Sequence, residues 1–479
     1  MTSKQNRHHR LKLVPLAVAL LALSGCATFS QDGGMGSVSD LTEQRTGQGV
    51  NRPLTSEAAS TNAERVARLL KQPLDPNTVV QIALLNHQGL QASFAELGVA
   101  EADYVQSGRM RNPGFSFQRL KGGNGLEIDR SVTFDLIGLL TMPLRSGIEQ
   151  GRFEQAKLIA ASAAVQLAAD TRRAYFEAVA ARQTALYMEQ VQSAAEASAE
   201  LARRMARVGN WSKLDQAREQ AFYADATTQV ARAKHNALAA REQLTQMLGL
   251  WGGDTAITLP DRLPDLPKAP TEAVDLESQA MAQRLDLQVA RRDADATAKG
   301  LGLTRATGFI NVLDAGYANK SQTGQPRENG YTVSLELPIF DWGGARTAKA
   351  EALYMQAVAR TRDTAIRARS EVREAYSAYR TSYDVARHYR DEVVPLRRKI
   401  SDEMQLRYNG MLASVFALLA DSRDQITSVN AAIEAQRDFW LADTDLQGAI
   451  SGGGGRMQAR TQTRPSSAST ASAAASNKH

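Results

Sequence analysis

The chain has 479 residues, of which 43% are hydrophobic and 23% are charged, and its formal net charge is +6. This excess is modest for the length, and basic residues alternate with acidic ones. The pattern indicates solvated helix faces and argues against nucleic-acid binding. A single cysteine excludes a disulfide framework and a multi-cysteine metal site, and the six histidines lack the spacing of a helical metal motif. No nucleotide-binding glycine loop and no enzyme site is visible, so we expect no cofactor, no metal ion and no catalysis.

The first 25 residues have the pattern of a bacterial export signal. Several basic residues precede a short apolar run that ends at Leu23 and cannot span a bilayer as a stable helix. The sequence Leu23-Ser24-Gly25-Cys26 resembles the lipobox of bacterial lipoproteins, in which the cysteine is lipidated. We therefore predict a lipoprotein signal peptide over residues 1–25 and lipidation of Cys26. An ordinary signal peptide with an incidental cysteine is the alternative. The lipobox resemblance also implies the outer membrane, because the aspartate that retains many lipoproteins at the inner membrane does not follow Cys26.

Residues 26–75 are rich in Gly, Ser and Thr, and we expect them to form a tether between the lipid and the folded body. Beyond residue 26, no apolar run approaches the roughly 18 residues that a membrane helix needs. A protein anchored at the outer membrane would then cross it only as a closed β-barrel.

The rest of the chain contains an internal duplication. A helical stretch, a strand-like region and a long helix follow one another in residues 76–250 and again in residues 276–450. Gly209 and Gly410, which end the two long helices, are 201 residues apart. Residues 251–275 contain four closely spaced prolines, which exclude a regular helix and predict a connector. Residues 451–479 are rich in Gly, Ser, Thr and Ala, which predicts a disordered tail.

The long helices indicate a fold that is mainly α-helical. No glycine or proline occurs from Arg152 to Val208, a stretch of 57 residues that corresponds to roughly 85 Å of helix. In the second copy the corresponding stretch runs from Ala345 to Asn409, and Pro395 is a predicted kink or break. Helices this long need a neighbour along their whole length, and a helical pattern resumes after each terminal glycine. The sequence therefore predicts long antiparallel helical hairpins in a coiled-coil-like assembly.

Each copy also has a candidate β-hairpin before its long helix, near residues 113–137 and 307–338. Phe115 alternates with polar neighbours in the first hairpin, and Val333 does so in the second. One apolar and one polar face suit lipid outside and water inside, although a soluble hairpin packed on a core shows the same alternation. The predicted lipid anchor and the lack of membrane helices favour the barrel. Small membrane barrels begin at about 8 strands, so several subunits must contribute, and three subunits would supply twelve strands.

With these features the sequence resembles the TolC-like outer-membrane efflux family, particularly its lipid-anchored branch. The resemblance covers roughly residues 75–450 and depends on the duplication, on Arg111-Asn112-Pro113 before the first strand and on the Pro-Ile-Phe-Asp-Trp-Gly-Gly run ending at Gly344. The first copy departs from that run, retaining only Pro143 and a glycine. The resemblance implies a homotrimer with a twelve-stranded β-barrel in the outer membrane and a long α-helical barrel in the periplasm. It also implies a periplasmic adapter protein and an inner-membrane pump as partners.

The same resemblance implies two sets of candidate site residues. The turns that would dock the adapter are Val208, Gly209, Asn210, Asn409, Gly410 and Met411. We expect both glycines to permit the left-handed backbone that ends a helix, a role that requires no partner. Family members often carry an acidic residue after the second turn, where carboxylates narrow the pore. Asp421 and Asp424 are the candidates here, although an ordinary exposed helical aspartate explains each of them equally well.

We therefore expect an outer-membrane channel subunit of a tripartite efflux system, a passive exit duct with a lipid anchor and a periplasmic helical portion. The expected partners are two further copies of the chain, the adapter, the pump and outer-membrane lipid, with no nucleic acid. The alternative is a structural or adapter-type periplasmic coiled-coil lipoprotein without a pore, against which the two symmetrically placed hairpins argue. The exported substrate stays open, because a heavy-metal exporter and a drug exporter would need the same duct.

Overall fold

The computed structural model describes residues 28–53, 55–122, 125–252, 257–272, 274–309 and 312–452. The predicted signal peptide, Cys26 and nearly all of the predicted tail lie outside these residues. The described chain is mainly helical with one small sheet, which confirms the predicted fold class. The helices are α1 Met35–Thr46, α2 Ser56–Leu69, α3 Pro76–Asn86, α4 Gln88–Ser107, α5 Leu136–Arg207, α6 Lys213–Met247, α7 Leu276–Gln283, α8 Leu285–Ala306, α9 Gly344–His388, α10 Val394–Asn409 and α11 Val415–Ser451. The strands are β1 Gly114–Gly122, β2 Gly125–Asp135, β3 Leu313–Gln322 and β4 Glu328–Leu335.

The duplication is visible in the order of these elements. Two helices, two strands and a long helical hairpin occur in the order α3, α4, β1, β2, α5, α6, and again in the order α7, α8, β3, β4, α9–α10, α11. The return helices of the two hairpins also begin alike. Ser212 accepts a hydrogen bond from the backbone N–H of Asp215, and Ser414 accepts one from Ala417. Each serine thereby satisfies a backbone donor that has no partner within its helix.

Helix α5 begins earlier than the sequence suggests. It has 72 residues and includes Pro143, whereas the sequence predicts that the strand-like region of the first copy ends near that proline. The helix begins directly after β2 because Asp135 caps it, accepting a bond of 2.6 Å from the backbone N–H of Gly138. A proline removes one backbone donor and can kink a helix without ending it. The helix is therefore about 108 Å long at the standard rise per residue.

The long helix of the second helical hairpin is interrupted next to Pro395, as the sequence predicts. Helix α9 ends at His388, a π-helical turn covers Tyr389–Val393, and α10 starts with Pro395 at its second residue. Proline has no N–H to give to the preceding turn, so the backbone widens there before the helix continues. Hairpin one has one continuous helix at the corresponding place.

The main core lies where α3, α4 and the middle of α5 meet. Six residues of the short helix α3 are buried, and Phe94 of α4 and Tyr175 of α5 are almost completely enclosed. The hydroxyl of Tyr175 donates a bond of 3.1 Å to the backbone carbonyl of Leu74. Burial raises the pKa of Tyr175 to about 12, so the phenol stays protonated and the bond persists at physiological pH. This core holds α3 and α4 against the middle of α5.

Residues 26–75, the predicted tether, contain two helices in their described part. Residues 35–46 and 56–69 form α1 and α2, and Val38 and Thr42 of α1 are fully buried. The hydroxyl of Thr42 donates to the backbone carbonyl of Val38, so a polar residue is tolerated there. Composition rich in Gly, Ser and Thr concealed this helix, whose few apolar residues pack against α5.

The connector has the irregular backbone that its prolines predict. In its described residues 257–272 it forms no helix or strand, and Leu259 and Leu263 are buried. Side chains of the helices bind its carbonyl groups: Trp440 donates through Nε1 to Pro264 (3.0 Å), and Tyr383 donates to Pro267 (3.2 Å). The connector therefore binds the second hairpin and is not a free linker.

Candidate membrane sheet and helical tips

The four strands form one antiparallel sheet in the order β1-β2-β3-β4. Both predicted hairpins are present, and the second one pairs with the first through β2 and β3 although these strands are far apart in sequence. The first strand of copy two, β3, starts at Leu313, a few residues later than its pattern suggests, because α8 continues to Ala306. Strands β1 and β4 lie at the two edges.

The register places apolar residues of all four strands on the same face. Phe115 pairs with Val132, Val132 with Tyr317, and Tyr317 with Tyr331, so these side chains form one row across the sheet. The next row consists of Phe134, Ala315 and Val333. Side chains of this face are largely exposed in the single chain, including Phe115 and Val333. We call this surface, made of the two rows, the apolar face.

The opposite face is polar and carries small residues at its centre. One row contains Ser116, Ser131, Ala318 and Gly330, and the next contains Gly114, Thr133, Gly316 and Thr332. Nearer the hairpin ends, Lys320 pairs with Glu127 at 2.5 Å. An exposed apolar face backed by a polar one suits contact with lipid on one side and water on the other.

At the other end of the molecule, the first hairpin turns at Gly209, where the backbone is left-handed with φ of 81°. The backbone N–H of Asn210 donates to the carbonyl of Met205 (3.0 Å), and that of Gly209 donates to Ala206 (3.1 Å). These two bonds form the closure expected at a helix end with a left-handed glycine. The predicted conformation of Gly209 is confirmed.

The second turn differs from the prediction. Gly410 has φ of −80° and is not left-handed, whereas Met411 has φ of 59°. The backbone N–H of Leu412 closes the turn by donating to Arg407 (2.8 Å). The helix continues one residue further than in the first copy, so Met411 and not Gly410 corresponds to Gly209. The prediction that Gly410 occupies the left-handed position is therefore wrong.

The two tips lie side by side in one chain. The rings of Trp211 and Phe416, one from each hairpin, are 5.2 Å apart. The apolar side chains of Val208, Met411 and Leu412 are exposed around them. Leu412 is missing from the predicted tip residues, although an apolar residue within a turn was a signal for it. Together these residues form an exposed apolar surface at the tips.

The two candidate aspartates have different environments. Asp421 is only 7% exposed and accepts a hydrogen bond of 2.5 Å from Ser401 within its own hairpin. A carboxylate that narrows a pore must reach water, so this burial does not suit Asp421 for that role. Asp424 is exposed and lies 3.4 Å from Arg397. It is the candidate that remains accessible.

Cys26, the predicted lipidation site, lies outside the described residues. Within them, no group of three or more histidine, cysteine or carboxylate side chains could hold a metal ion. None of the helices in the described part of the chain is long and apolar enough to cross a membrane.

The comparisons with known proteins agree with this arrangement. Residues 276–438 match the family model described as outer membrane efflux protein. No curated protein matches the sequence. Among solved structures, a membrane protein from Pseudomonas aeruginosa is 20% identical with a TM-score of 0.68, and the alignment covers 78% of this chain and 93% of that one. The Campylobacter jejuni CmeC outer membrane channel is 17% identical with a TM-score of 0.69, covering 85% and 90%.

The open state of the Neisseria gonorrhoeae MtrE outer membrane channel is also similar, with 18% identity, a TM-score of 0.65 and coverage of 81% and 90%. At these identities the solved structures establish the fold, and the family match covers the second copy of the chain. The second copy of the chain, residues 276–438, therefore matches the outer membrane efflux protein family, and the described chain has the fold of outer-membrane channels.

Proposed function

We propose that this chain is a channel subunit of a tripartite efflux system and provides a passive exit duct through the outer membrane. The observation that carries the proposal is the register of the sheet, which puts apolar residues of all four strands on one exposed face and polar residues on the other. That arrangement is suited to a wall between lipid and water.

The duct requires more than one chain. Four strands cannot close around a pore, because the smallest membrane barrels have about 8 strands. The edges of the sheet, β1 and β4, are the places where another copy adds strands. Three copies give twelve strands, and Cys26, acylated, anchors each copy to the same membrane.

The helical tips serve as the docking surface for the periplasmic adapter. Val208, Met411 and Leu412 expose apolar side chains at the end of the hairpins farthest from the sheet. Exposed apolar surface of this kind is typical of protein interfaces. The adapter in turn connects the duct to an inner-membrane pump, which supplies the energy.

Two neighbouring substitutions in β4 test the sheet. Val333→Arg puts a charge on the apolar face and should cost about 2–4 kcal/mol at mid-bilayer, whereas Ser334→Arg puts the same charge on the polar face and should be tolerated. The measurement is the yield of membrane-inserted trimer, followed by single-channel conductance of the purified protein in planar bilayers. Equal tolerance of both changes would show that the apolar face does not meet lipid. Proper trimers without conductance would favour a coiled-coil lipoprotein without a pore.

A further inference from the structure

The charged side chains of the sheet are segregated between its two sides. Within the described strands, the acidic residues all lie on the polar side: Glu127, Asp129, Asp135, Asp314 and Glu328. Three basic residues, Arg119, Lys121 and Arg130, lie on the other side, which carries the apolar face. The remaining basic residue, Lys320, lies among the acidic ones and pairs with Glu127. Positive charge is therefore concentrated on the side of the sheet that suits lipid.

The three basic residues are neighbours on that side. Arg119 pairs with Ile128 in the register of β1 and β2. Arg130 lies two positions beyond Ile128, so the two arginines are diagonal neighbours, about 7–8 Å apart. Lys121 follows Arg119 on the same side of β1, about 7 Å further along the strand. All three side chains are exposed, and we call them together the basic patch.

No carboxylate balances the basic patch. In the described part of the chain, none of its three side chains makes an ion pair. Another copy of the chain joined at β1 would not supply a carboxylate either. Its β4 has only uncharged residues on this side, namely Asn329, Tyr331, Val333 and Leu335. Like charges close together repel one another, so an anion from outside the protein would stabilise the patch.

The basic patch begins where the apolar side of the sheet becomes polar. Tyr317 and Tyr331 lie in the row of the apolar face farther from the long helices, with their rings 6.0 Å apart. Tyrosine is enriched where membrane meets water. The next row contains Arg130, Asn319 and Asn329, and Asn319 donates a bond of 2.6 Å to Asn329. Apolar side chains thus give way to aromatic and then to polar and cationic ones, as expected from hydrocarbon to headgroups.

The basic patch also lies toward the end of the sheet that is remote from the helices. Strand β2 runs directly into α5 at Leu136, whereas Lys121 is next to Gly122, the last residue of β1. Under the proposed function the helices are in the periplasm. The remote end of the sheet, with the basic patch, is then in the outer leaflet of the membrane.

We propose that the basic patch binds the phosphate group of an anionic lipid in the outer leaflet. Each guanidinium can donate two N–H groups to phosphate oxygens, and the ammonium of Lys121 adds a third positive charge. The acyl chains of the lipid then lie along the apolar face, toward the helices. The inference rests on the proposed function, because it requires the sheet to be in the membrane and the helices to be in the periplasm.

The probe is phosphatidic acid, with phosphatidylcholine of the same acyl chains as the zwitterionic reference. The full-length protein is purified from membranes in a neutral detergent, and native mass spectrometry gives the Kd of each lipid. The wild type should bind phosphatidic acid roughly 100-fold more tightly, because each basic side chain near a headgroup contributes about fivefold. The triple variant Arg119→Gln, Lys121→Gln, Arg130→Gln should bind both lipids alike.

Two further measurements keep the test independent of how well the triple variant folds. Lys320→Gln is the matched control, because it removes one cation near the same end of the sheet but on the polar side. It should retain the full preference for phosphatidic acid. In the wild type, raising the salt from about 0.1 M to about 1 M shortens the Debye length from about 10 Å to about 3 Å. The preference should then decrease by at least about tenfold.

Three results would overturn the proposal. The first is a wild-type protein that binds both lipids alike, and the second is a preference that survives in the triple variant or is lost equally in Lys320→Gln. The third is loss of the preference in about a hundredfold excess of inorganic phosphate, which would indicate a site for free phosphate.

Failure of the underlying function is separately visible. The mass of the complex in the same spectra shows whether the protein is a trimer, and membrane fractionation shows whether it is inserted. A chain that does not insert contradicts the proposed function. An inserted trimer that binds both lipids alike contradicts only the lipid site.

Discussion

At the residue scale, Met411 has the left-handed backbone conformation that Gly209 has at the corresponding turn of the first copy. Glycine adopts this conformation without strain, and methionine does not. Its φ of 59° is in the left-handed region, which costs a residue with a Cβ atom about 1–2 kcal/mol. The side chain is 94% exposed, so packing within the chain does not compensate. Strain of this kind tends to occur at functional positions. It therefore favours a role for this methionine in binding a partner.

Met411→Gly separates strain from binding. Because glycine has no Cβ atom, the variant should be more stable than the wild type by about 1 kcal/mol, seen as a higher thermal midpoint. Adapter crosslinking at the tip should decrease, because an apolar contact is lost. Gly209→Ala is the opposite control and should lower stability by a similar amount. Increased stability with unchanged crosslinking would mean that Met411 is only a turn residue.

His87 should make stability depend on pH. Its Nδ1 atom accepts a bond of 3.3 Å from the backbone N–H of Leu90, and burial lowers the pKa of His87 below its usual 6.5. Since the folded pKa is depressed, the neutral form stabilises the fold above pH 6.5. That stabilisation is lost as the pH falls through the folded pKa. His87→Asn, which still caps the helix, should lose less stability than the wild type between pH 7.5 and 5.

Thermal midpoints measured across this range give the comparison. His235→Asn, at an exposed site on α6, should follow the wild-type curve. If the curves of the wild type and His87→Asn stay parallel, protonation of His87 has no part in the pH dependence of stability.

At the element scale, a single guanidinium joins three helices of the second copy. Arg284, immediately before α8, is 3% exposed and lies 2.7 Å from both Asp286 and Glu371. It also donates to the backbone carbonyl of Ala449 in α11 (3.0 Å). These bonds hold the start of α8 against α9 and α11, at the base of the second hairpin.

Arg284→Met should lower the free energy of unfolding by about 2–4 kcal/mol, because three acceptors lose a charged donor together. The partial exposure of both carboxylates keeps the loss below that of a fully buried pair. Arg373→Met is the control, since its ion pair with Glu277 is long and exposed and should contribute less than about 1 kcal/mol. Equal losses in chemical denaturation of the two variants would contradict this account.

The sequence predicted those elements whose structure depends on neighbouring residues alone. Apolar and polar residues alternate along the strands, and this alternation predicts that Phe115 and Val333 lie on the apolar face. The break in the second long helix follows from Pro395. What depends on distant contacts was not predictable. The packing of Val38, the contact of Glu101 with Ser30 and the burial of Asp421 all involve partners on other elements. The error at Gly410 has a similar cause, because the end of α10 is decided by backbone bonds and not by the residue type alone.

At the scale of the whole molecule, the two edge strands decide how copies assemble. In a closed barrel, β4 of one chain must pair with β1 of the next. Such pairing continues the apolar face around the outside of the barrel and puts the polar face around the lumen.

Cysteine pairs across that seam test the assembly. Ser116→Cys in β1, combined in turn with Gly330→Cys, Thr332→Cys or Ser334→Cys in β4, should give a covalent trimer in at least one pair under oxidation. Denaturing gels without reductant measure it. Ser131→Cys with Ala318→Cys, which face each other within one sheet, should give an internal bond and no change in mass. A failure of every seam pair, or a ladder of open chains, would exclude the closed trimer.

The two free edges also have a kinetic consequence. A four-stranded ribbon with both edges open and an uncovered apolar face is marginal in water, so it gains stability only when the ring closes. Closure then requires three chains at once, and its rate should rise steeply with the amount of exported protein. At low expression, chains would remain in the periplasm as helical intermediates with an open sheet. These intermediates would be exposed to proteases and to pairing with strands of other proteins. Expression level, and not only sequence, would then decide how much of the protein matures.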